Sequence, residues 1–240
     1  MEQKDNNMAN YEFYLASSLE KVFANKRVKE ENREVFDVLE NDKLNLQLVY
    51  TLDEADSQIR NRHFKINIIT NLKYELFDVN LVKCEYLATE NRDRFYIDTM
   101  AGLYPDLLTK NNGYIFPLTN QFKSLWISLY GSDLTNTSKV TIQVEEVIYE
   151  SNTGIKKNTG KIFFEKTLTV NSINKELPKL PIIHTEWFHC DSIANYHKVD
   201  VFSEDFWSLL EKYIEFANKK SDINTLLTPV FTPPLDTDYN

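Results

Sequence analysis

The sequence predicts a mainly β protein: a β-sandwich followed by the first βαβ unit of an incomplete (β/α)8 barrel. Apolar and polar residues alternate over several short segments, as they do in half-buried strands. The alternating pattern ends at a linker with two prolines, residues 177–181. After the linker, one segment with helical spacing of apolar residues lies between two strand-like segments. We therefore predict a disordered tail at residues 1–10, the sandwich at 11–180 and the beginning of the barrel at 181–240.

The predicted sandwich is a succession of strands with little helical periodicity between them. Residues 11–23 are rich in aromatic side chains and alternate in part, whereas residues 24–41 are heavily charged and predict a solvated loop or a short helix. Residues 102–108 are apolar, but Gly102 and Pro105 disfavour a regular strand interior, so we expect a packed loop that crosses the sandwich. Further strands are predicted at residues 44–50, 64–70, 76–87, 124–130, 140–148 and 161–170.

The segment after the linker predicts strand, helix and strand in that order. The first strand lies within residues 181–191. Ser203 is suited to cap the helix, and its apolar residues recur at helical spacing up to Lys219 and Lys220, which favour a helix C-terminus. The second strand begins at Leu226 and must end near Thr232, because the prolines that follow cannot donate a ladder hydrogen bond. Two such strands joined by a helix form a parallel pair with a right-handed crossover.

Composition excludes several classes of partner. The net charge of -9 and the lack of a basic run predict no nucleic-acid partner, because a phosphate backbone would be repelled. No apolar run reaches the ~20 residues that a membrane span requires, and the polar N-terminus lacks the apolar core of a signal peptide. Cys84 and Cys190 form no metal or redox motif. We expect a cytoplasmic protein with no cofactor and no membrane partner.

The candidate site lies at the ends of the two strands of the second domain. Alternation places His184, Glu186 and Phe188 on one face of the first strand and Trp187, His189 and Asp191 on the other. Three interpretations remain open for these residues: a metal site, side chains that hydrogen-bond one another, or a sugar site in which aromatic rings stack and polar groups bind hydroxyls. We predict no metal and a substrate-binding set that consists of His184, Glu186, Trp187, His189, Asp191, Phe231 and Asp236.

These same residues carry a family resemblance. Residues 184–191, 201–204 and 227–237 resemble the first two barrel strands of glycoside hydrolase family 123, a family that includes relatives described only as a domain of unknown function. Residues 17–23 and 102–108 are similar to motifs in the β-sandwich that precedes that barrel. One departure is Ser221-Asp222, where the family pattern has a glycine that closes the helix.

The resemblance implies a β-N-acetylgalactosaminidase that uses the acetamido oxygen of its substrate as the nucleophile. An adjacent Asp-Glu pair on a later barrel strand would orient that group and protonate the leaving group. After the linker the only adjacent acidic pair is Glu204-Asp205, which capping of the helix explains better, so we predict no catalytic residue in this chain. A full barrel needs roughly 200 residues or more.

The chain is therefore expected to be the N-terminal fragment of a glycosidase, ended by a shortened gene or a cloning boundary and inactive alone. The alternatives are a non-catalytic module that binds carbohydrate or protein, or one half of a split glycosidase. The expected partners are an N-acetylhexosamine-type sugar if the barrel is completed, and a second copy of the chain or the missing half of the barrel.

Overall fold

The computed structural model describes residues 11–40, 42–52, 62–85, 100–118, 120–131, 137–149, 154, 156–176, 178, 181–187, 189–221 and 223–227. The chain divides into two compact units, Met1–Leu177 and Pro178–Asn240. We refer to them as unit 1 and unit 2. No described helix is both long enough and apolar enough to cross a membrane.

Unit 1 is built from strands in the part that the structure describes. In chain order these are β1 Tyr11–Ser17, β2 Val35–Leu39, β3 Lys43–Leu52, β4 Arg62–Ile69, β5 Tyr74–Cys84, β6 Gly102–Lys110, β7 Tyr114–Ile115, β8 Lys123–Tyr130, β9 Thr137–Tyr149 and β10 Lys156–Ile173. They form two five-stranded sheets, with the orders β1-β3-β8-β5-β6 and β2-β10-β9-β4-β7. The prediction of a mainly β protein is confirmed.

Both sheets contribute to one hydrophobic core. Leu48 of β3 and Ile127 of β8 come from the first sheet, and Phe64 of β4 and Ile142 of β9 come from the second; all four side chains are fully buried. Burial of this kind stabilises the fold by about 1.5–3 kcal/mol for each large apolar side chain. The two sheets are therefore held together by the apolar faces that the alternating pattern predicts.

Strand β4 shows how the alternating pattern sets the register. Phe64, Ile66 and Ile68 are buried, whereas Lys65 and Asn67 between them are half-buried. Ile66 lies opposite Val144 of β9 in an antiparallel pair, so apolar residues of neighbouring strands meet on the core face. A shift by one residue would bring the lysine and the asparagine into the core, which fixes this register.

The charged segment 24–41 contains a strand that the sequence prediction missed. Residues Val35–Leu39 form β2, which pairs in parallel with β10. Phe36 and Val38 are buried in the core, and Val35 and Asp37 face outward. The prediction of a loop or a short helix is wrong here, because a strand of five residues needs only two apolar side chains on its inner face.

The expected loop at residues 102–108 is also a strand. Residues Gly102–Lys110 form β6, which lies at the edge of the first sheet and pairs only with β5 among the described strands. The pairing shifts register between Asn80–Leu107 and Leu81–Pro105, so the proline lies beside a bulge. A proline is tolerated in an edge strand and at a bulge because it needs no ladder donor there.

The described residues of unit 2 form two short strands and two helices: β11 Thr185–Trp187, α1 Cys190–His197, α2 Glu204–Ser221 and β12 Thr225–Leu227. The strands pair in parallel, as the sequence predicts. The helix α1 was not predicted; it replaces the end of the strand that we expected to reach residue 191. Ile193 and Ala194 of α1 pack with Phe206 and Leu210 of α2 in a separate small core.

Candidate functional site

The two strands of unit 2 end at the same edge. Their register joins Thr185 with Thr225 and Trp187 with Leu227, and the strands run in the same direction. The carboxyl ends of parallel strands are the edge at which α/β proteins place their ligand sites. Trp187 and Leu227 therefore lie side by side at this edge.

One side chain holds the start of β11 against β12. The Asn224 side-chain oxygen accepts a hydrogen bond from the His184 backbone N–H at 3.0 Å, and its amide nitrogen donates to the Ile182 carbonyl at 2.8 Å. The His184 carbonyl in turn accepts from the backbone N–H groups of Asn224 and Thr225, at 3.1 and 3.2 Å. These bonds set the register at the opposite end of the strands from the candidate site.

The start of α2 is capped as the sequence predicts. The Ser203 hydroxyl accepts a hydrogen bond from the backbone N–H of Phe206 at 3.2 Å, which satisfies one of the free donors of the first turn. Glu204 and Asp205 occupy that turn with exposed side chains. Negative charge is favourable at a helix N-terminus, so this acidic pair has a structural role.

Three predicted site residues belong to β11 or precede it. His184 lies just before the strand, and its side chain is exposed. Glu186 and Trp187 lie on the strand; both are exposed, and Trp187 presents 66% of its surface. A tryptophan with so much free surface at a strand end is available to a ligand, since indole rings bury large apolar areas in binding sites.

His189 and Asp191 lie elsewhere than predicted. They do not continue the alternation of the strand: His189 is the extended residue before α1, and Asp191 is in the first turn of that helix. The His189 side chain makes no capping hydrogen bond and is exposed. Phe231 and Asp236 lie outside the described residues. The structure thus places His184, Glu186, Trp187, His189 and Asp191 on one short segment before and after the end of β11.

The electrostatics of this segment do not indicate a reactive nucleophile. Burial, aided by the neighbouring carboxylate of Asp191, raises the pKa of the Cys190 thiol, which keeps it protonated near neutral pH. No group of three or more His, Cys, Asp or Glu residues that could hold a metal ion occurs in the described parts of the chain. Exposed polar and aromatic side chains of this kind are able to bind hydroxyl groups and the apolar face of a sugar.

Comparison with known proteins shows that most of unit 2 is similar to a known catalytic domain. Residues 187–240 match the model of the glycoside hydrolase 123 catalytic domain. The chain is also similar in fold to a family 123 glycoside hydrolase from Clostridium perfringens, whose structure was solved to study glycolipid glycan hydrolysis. That likeness has a TM-score of 0.58 at 14% identity, and it covers 87% of this chain but 36% of that enzyme. The family resemblance predicted from the sequence is confirmed.

Two further solved structures show a weaker likeness. The major fimbrial subunit AggA from Escherichia coli has a TM-score of 0.29 at 9% identity and covers 72% of this chain and 100% of its own. A cohesin module from a Clostridium perfringens family 33 glycoside hydrolase has a TM-score of 0.27 at 7% identity and covers 63% and 99%, respectively. Similarity at this level carries no argument about function. No curated protein matches the chain.

Sequence reasoning missed the residue that organises the strand pair. Asn224 was not singled out, because a lone asparagine before a short strand carries no pattern that would mark it. The only available signal was its position between the end of a helix and the start of a strand, where asparagine commonly bonds to backbone groups.

Proposed function

We propose that this chain supplies the first part of a glycoside hydrolase that resembles the family 123 β-N-acetylgalactosaminidases. In this proposal unit 1 is a β-sandwich and unit 2 is the first βαβ unit of a (β/α)8 catalytic barrel. The observation that carries the proposal is that the family match and the parallel strand pair meet at the same residue of unit 2. The family-model match begins at Trp187, the residue at which β11 ends beside β12 in a parallel pair.

The side chains at this strand end are proposed to contact the sugar. The exposed Trp187 ring would stack on the apolar face of a hexosamine, and the exposed His184, Glu186 and His189 side chains would bind hydroxyl groups. Asp191, Phe231 and Asp236 complete the proposed set. This division of labour is usual in ligand sites, where aromatic surface supplies affinity and a few polar groups supply orientation.

The acid catalyst is proposed to lie outside these 240 residues. Substrate-assisted hydrolysis needs one group that orients the acetamide and one acid that protonates the leaving oxygen. Glu204 and Asp205 are the only adjacent acidic residues in unit 2, and their place in the first turn of α2 supports a capping role. The chain alone would then bind no sugar productively and hydrolyse none.

A partner chain that completes the barrel is a second possibility. Unit 2 exposes many apolar side chains, among them Ile183, Phe202 and Trp207. A parallel pair of strands normally has both faces covered, and apolar surface of this extent favours contact with further protein. In this version the chain is one half of a split glycosidase, and its partner carries the acidic pair.

Protein purified from its natural cells tests the proposal. An antibody against unit 1 would isolate the native polypeptide together with any bound chain, and release of aryl alcohol from an aryl β-N-acetylgalactosaminide would be measured. We expect activity in the immunopurified material and none in a precipitate made with an unrelated antibody. A native polypeptide without activity on N-acetylgalactosaminides or N-acetylglucosaminides would contradict the proposal.

A further inference from the structure

A groove of about 580 Å3 opens at one corner of unit 1. One wall is the outer edge of β4, and the other is the start of β5 in the opposite sheet. Residues 110–113 close one end of the groove where the chain crosses from β6 to β7. A volume of this size falls within the range of small-molecule sites, roughly 300–1,000 Å3.

The groove exists because neither sheet is paired to its full length at this corner. Strand β7 covers only Phe64 and Lys65 of β4. Strand β6 ends at Lys110, opposite Phe77, so β5 has no partner on that side before Phe77 among the described strands. The two edges thus lie open in the same region of unit 1, one from each sheet.

The crossing segment shows which way the backbone groups of both edges point. The Ile66 N–H donates to the Gly113 carbonyl at 2.8 Å, and the Asn111 N–H donates to the Leu76 carbonyl at 2.9 Å. Backbone direction alternates along a strand, so Ile68 and Tyr74, two residues away from these, present their N–H and C=O groups on the same open sides. The groove therefore has a backbone donor and a backbone acceptor on each wall.

The side chains add an apolar platform with a polar rim. Tyr74 is 42% exposed and Ile69 is 55% exposed, so ring and alkyl surface is available at the mouth. The amide side chains of Asn67, Asn112 and Gln143 lie around them. Tyrosine and amide groups together are suited to a ligand that has apolar C–H faces and many hydroxyls.

The charges around the groove are balanced. The Lys110 ammonium pairs with the Glu75 carboxylate at 2.8 Å. Lys65 lies directly opposite Glu145 in the β4–β9 register, where opposite charges attract across the strands. A strongly anionic or cationic ligand therefore gains little here, and the groove favours a neutral one.

We propose that this groove binds a short neutral oligosaccharide, about one disaccharide in length. A sugar hydroxyl both donates and accepts, so one sugar unit is able to use backbone groups on both walls while Tyr74 stacks on its C–H face. An extended peptide would pair with one wall only, the edge of β4. Between Ile66, which bonds to Gly113, and the turn after Ile69, that edge offers only the N–H and C=O groups of Ile68. Addition of a peptide strand would gain two main-chain hydrogen bonds at most, so the sugar is the better match.

All lining residues of this groove belong to unit 1, and the proposed binding does not depend on hydrolysis. The test is an NMR titration of the isotopically labelled 240-residue chain with chitobiose, lactose and N-acetyllactosamine. We expect at least one of these disaccharides to shift the amide signals of Ile68, Tyr74 and Asn112 in a saturable manner. Replacing the ring, Tyr74→Ala, should weaken binding about tenfold, whereas Tyr74→Phe keeps the ring and should stay within about threefold.

The matched control is Phe116→Ala, which removes an aromatic ring of the same unit that does not line the groove. It should leave the affinity unchanged. The proposal is overturned if none of the three disaccharides shifts the groove amides, if the shifts lie elsewhere, or if Tyr74→Ala binds as well as the parent chain. If Tyr74→Ala lowers the melting temperature, its loss of affinity is not informative. The proposal is then judged by whether the disaccharide shifts the groove amides of the parent chain.

Discussion

The side-chain oxygen of Asn224 lies 3.0 Å from the backbone nitrogen of His184, and this hydrogen bond ties the end of the α2 crossover to the start of β11. The amide nitrogen of the same side chain reaches the Ile182 carbonyl at 2.8 Å. One asparagine thus bonds to the backbone on both sides of Ile183. It holds the base of the strand pair whose other end carries Trp187.

Removing this side chain should loosen the strand pair. Asn224→Ala loses two hydrogen bonds to the backbone and one from the Thr225 hydroxyl at an exposed position, and we expect local opening of β11 from β12 to become easier by about 1 kcal/mol. Hydrogen exchange at the Thr225 amide, which bonds to the His184 carbonyl, reports this opening directly. Asn195→Ala, at an exposed position on α1, is the control and should leave exchange at Thr225 unchanged; equal exchange in both variants would contradict the assigned role.

Unit 1 should fold without unit 2. The described residues of its core come from strands of both sheets, and all of them lie before position 177. A polypeptide of residues 1–177 should therefore show the β-rich circular dichroism of the full chain and one cooperative thermal transition. A broad, non-cooperative thermal transition would mean that unit 1 depends on unit 2 for its stability.

The full chain should self-associate through α2. Phe202, Trp207 and Ile214 expose 56%, 48% and 40% of their surface, and Trp207 and Ile214 are seven residues apart on one face of the helix. Light scattering should detect dimers or larger species, because exposed apolar surface of this kind favours association. Trp207→Glu should shift the chain toward monomer, whereas Ser208→Glu introduces the same charge on the next residue and should not. A monomeric parent chain would refute this prediction.

The sequence predicted those parts of the fold that alternate over six or more residues. Strand β4 is an example, because Phe64, Ile66 and Ile68 alternate with polar residues and enter the core as expected. The strands at Val35–Leu39 and Gly102–Lys110 were missed for two reasons. The first is short and set among charges, and the second is an exposed edge strand whose Pro105 is accommodated by a bulge.

The sequence predicted which segment carries the candidate site but not the secondary structure of all its residues. The parallel pairing of the two strands followed from their spacing, yet α1 was missed, because Ile193 and Ala194 are its only buried residues and its start has no side-chain cap. His189 and Asp191 were consequently assigned to a strand. The groove at Tyr74 could not be found from the sequence, since it arises where two strands end in different sheets.

The most direct test of the central claim is turnover by the 240-residue chain itself. The purified chain would be incubated with an aryl β-N-acetylgalactosaminide beside a boiled sample, and the variant Glu204→Gln/Asp205→Asn would be assayed in parallel. If the acid and the acetamide-orienting group lie outside these residues, the chain and the variant will both release no more aryl alcohol than the boiled sample. Release that exceeds the boiled sample and disappears in the variant would contradict the account, because the acidic pair at the start of α2 would then be catalytic.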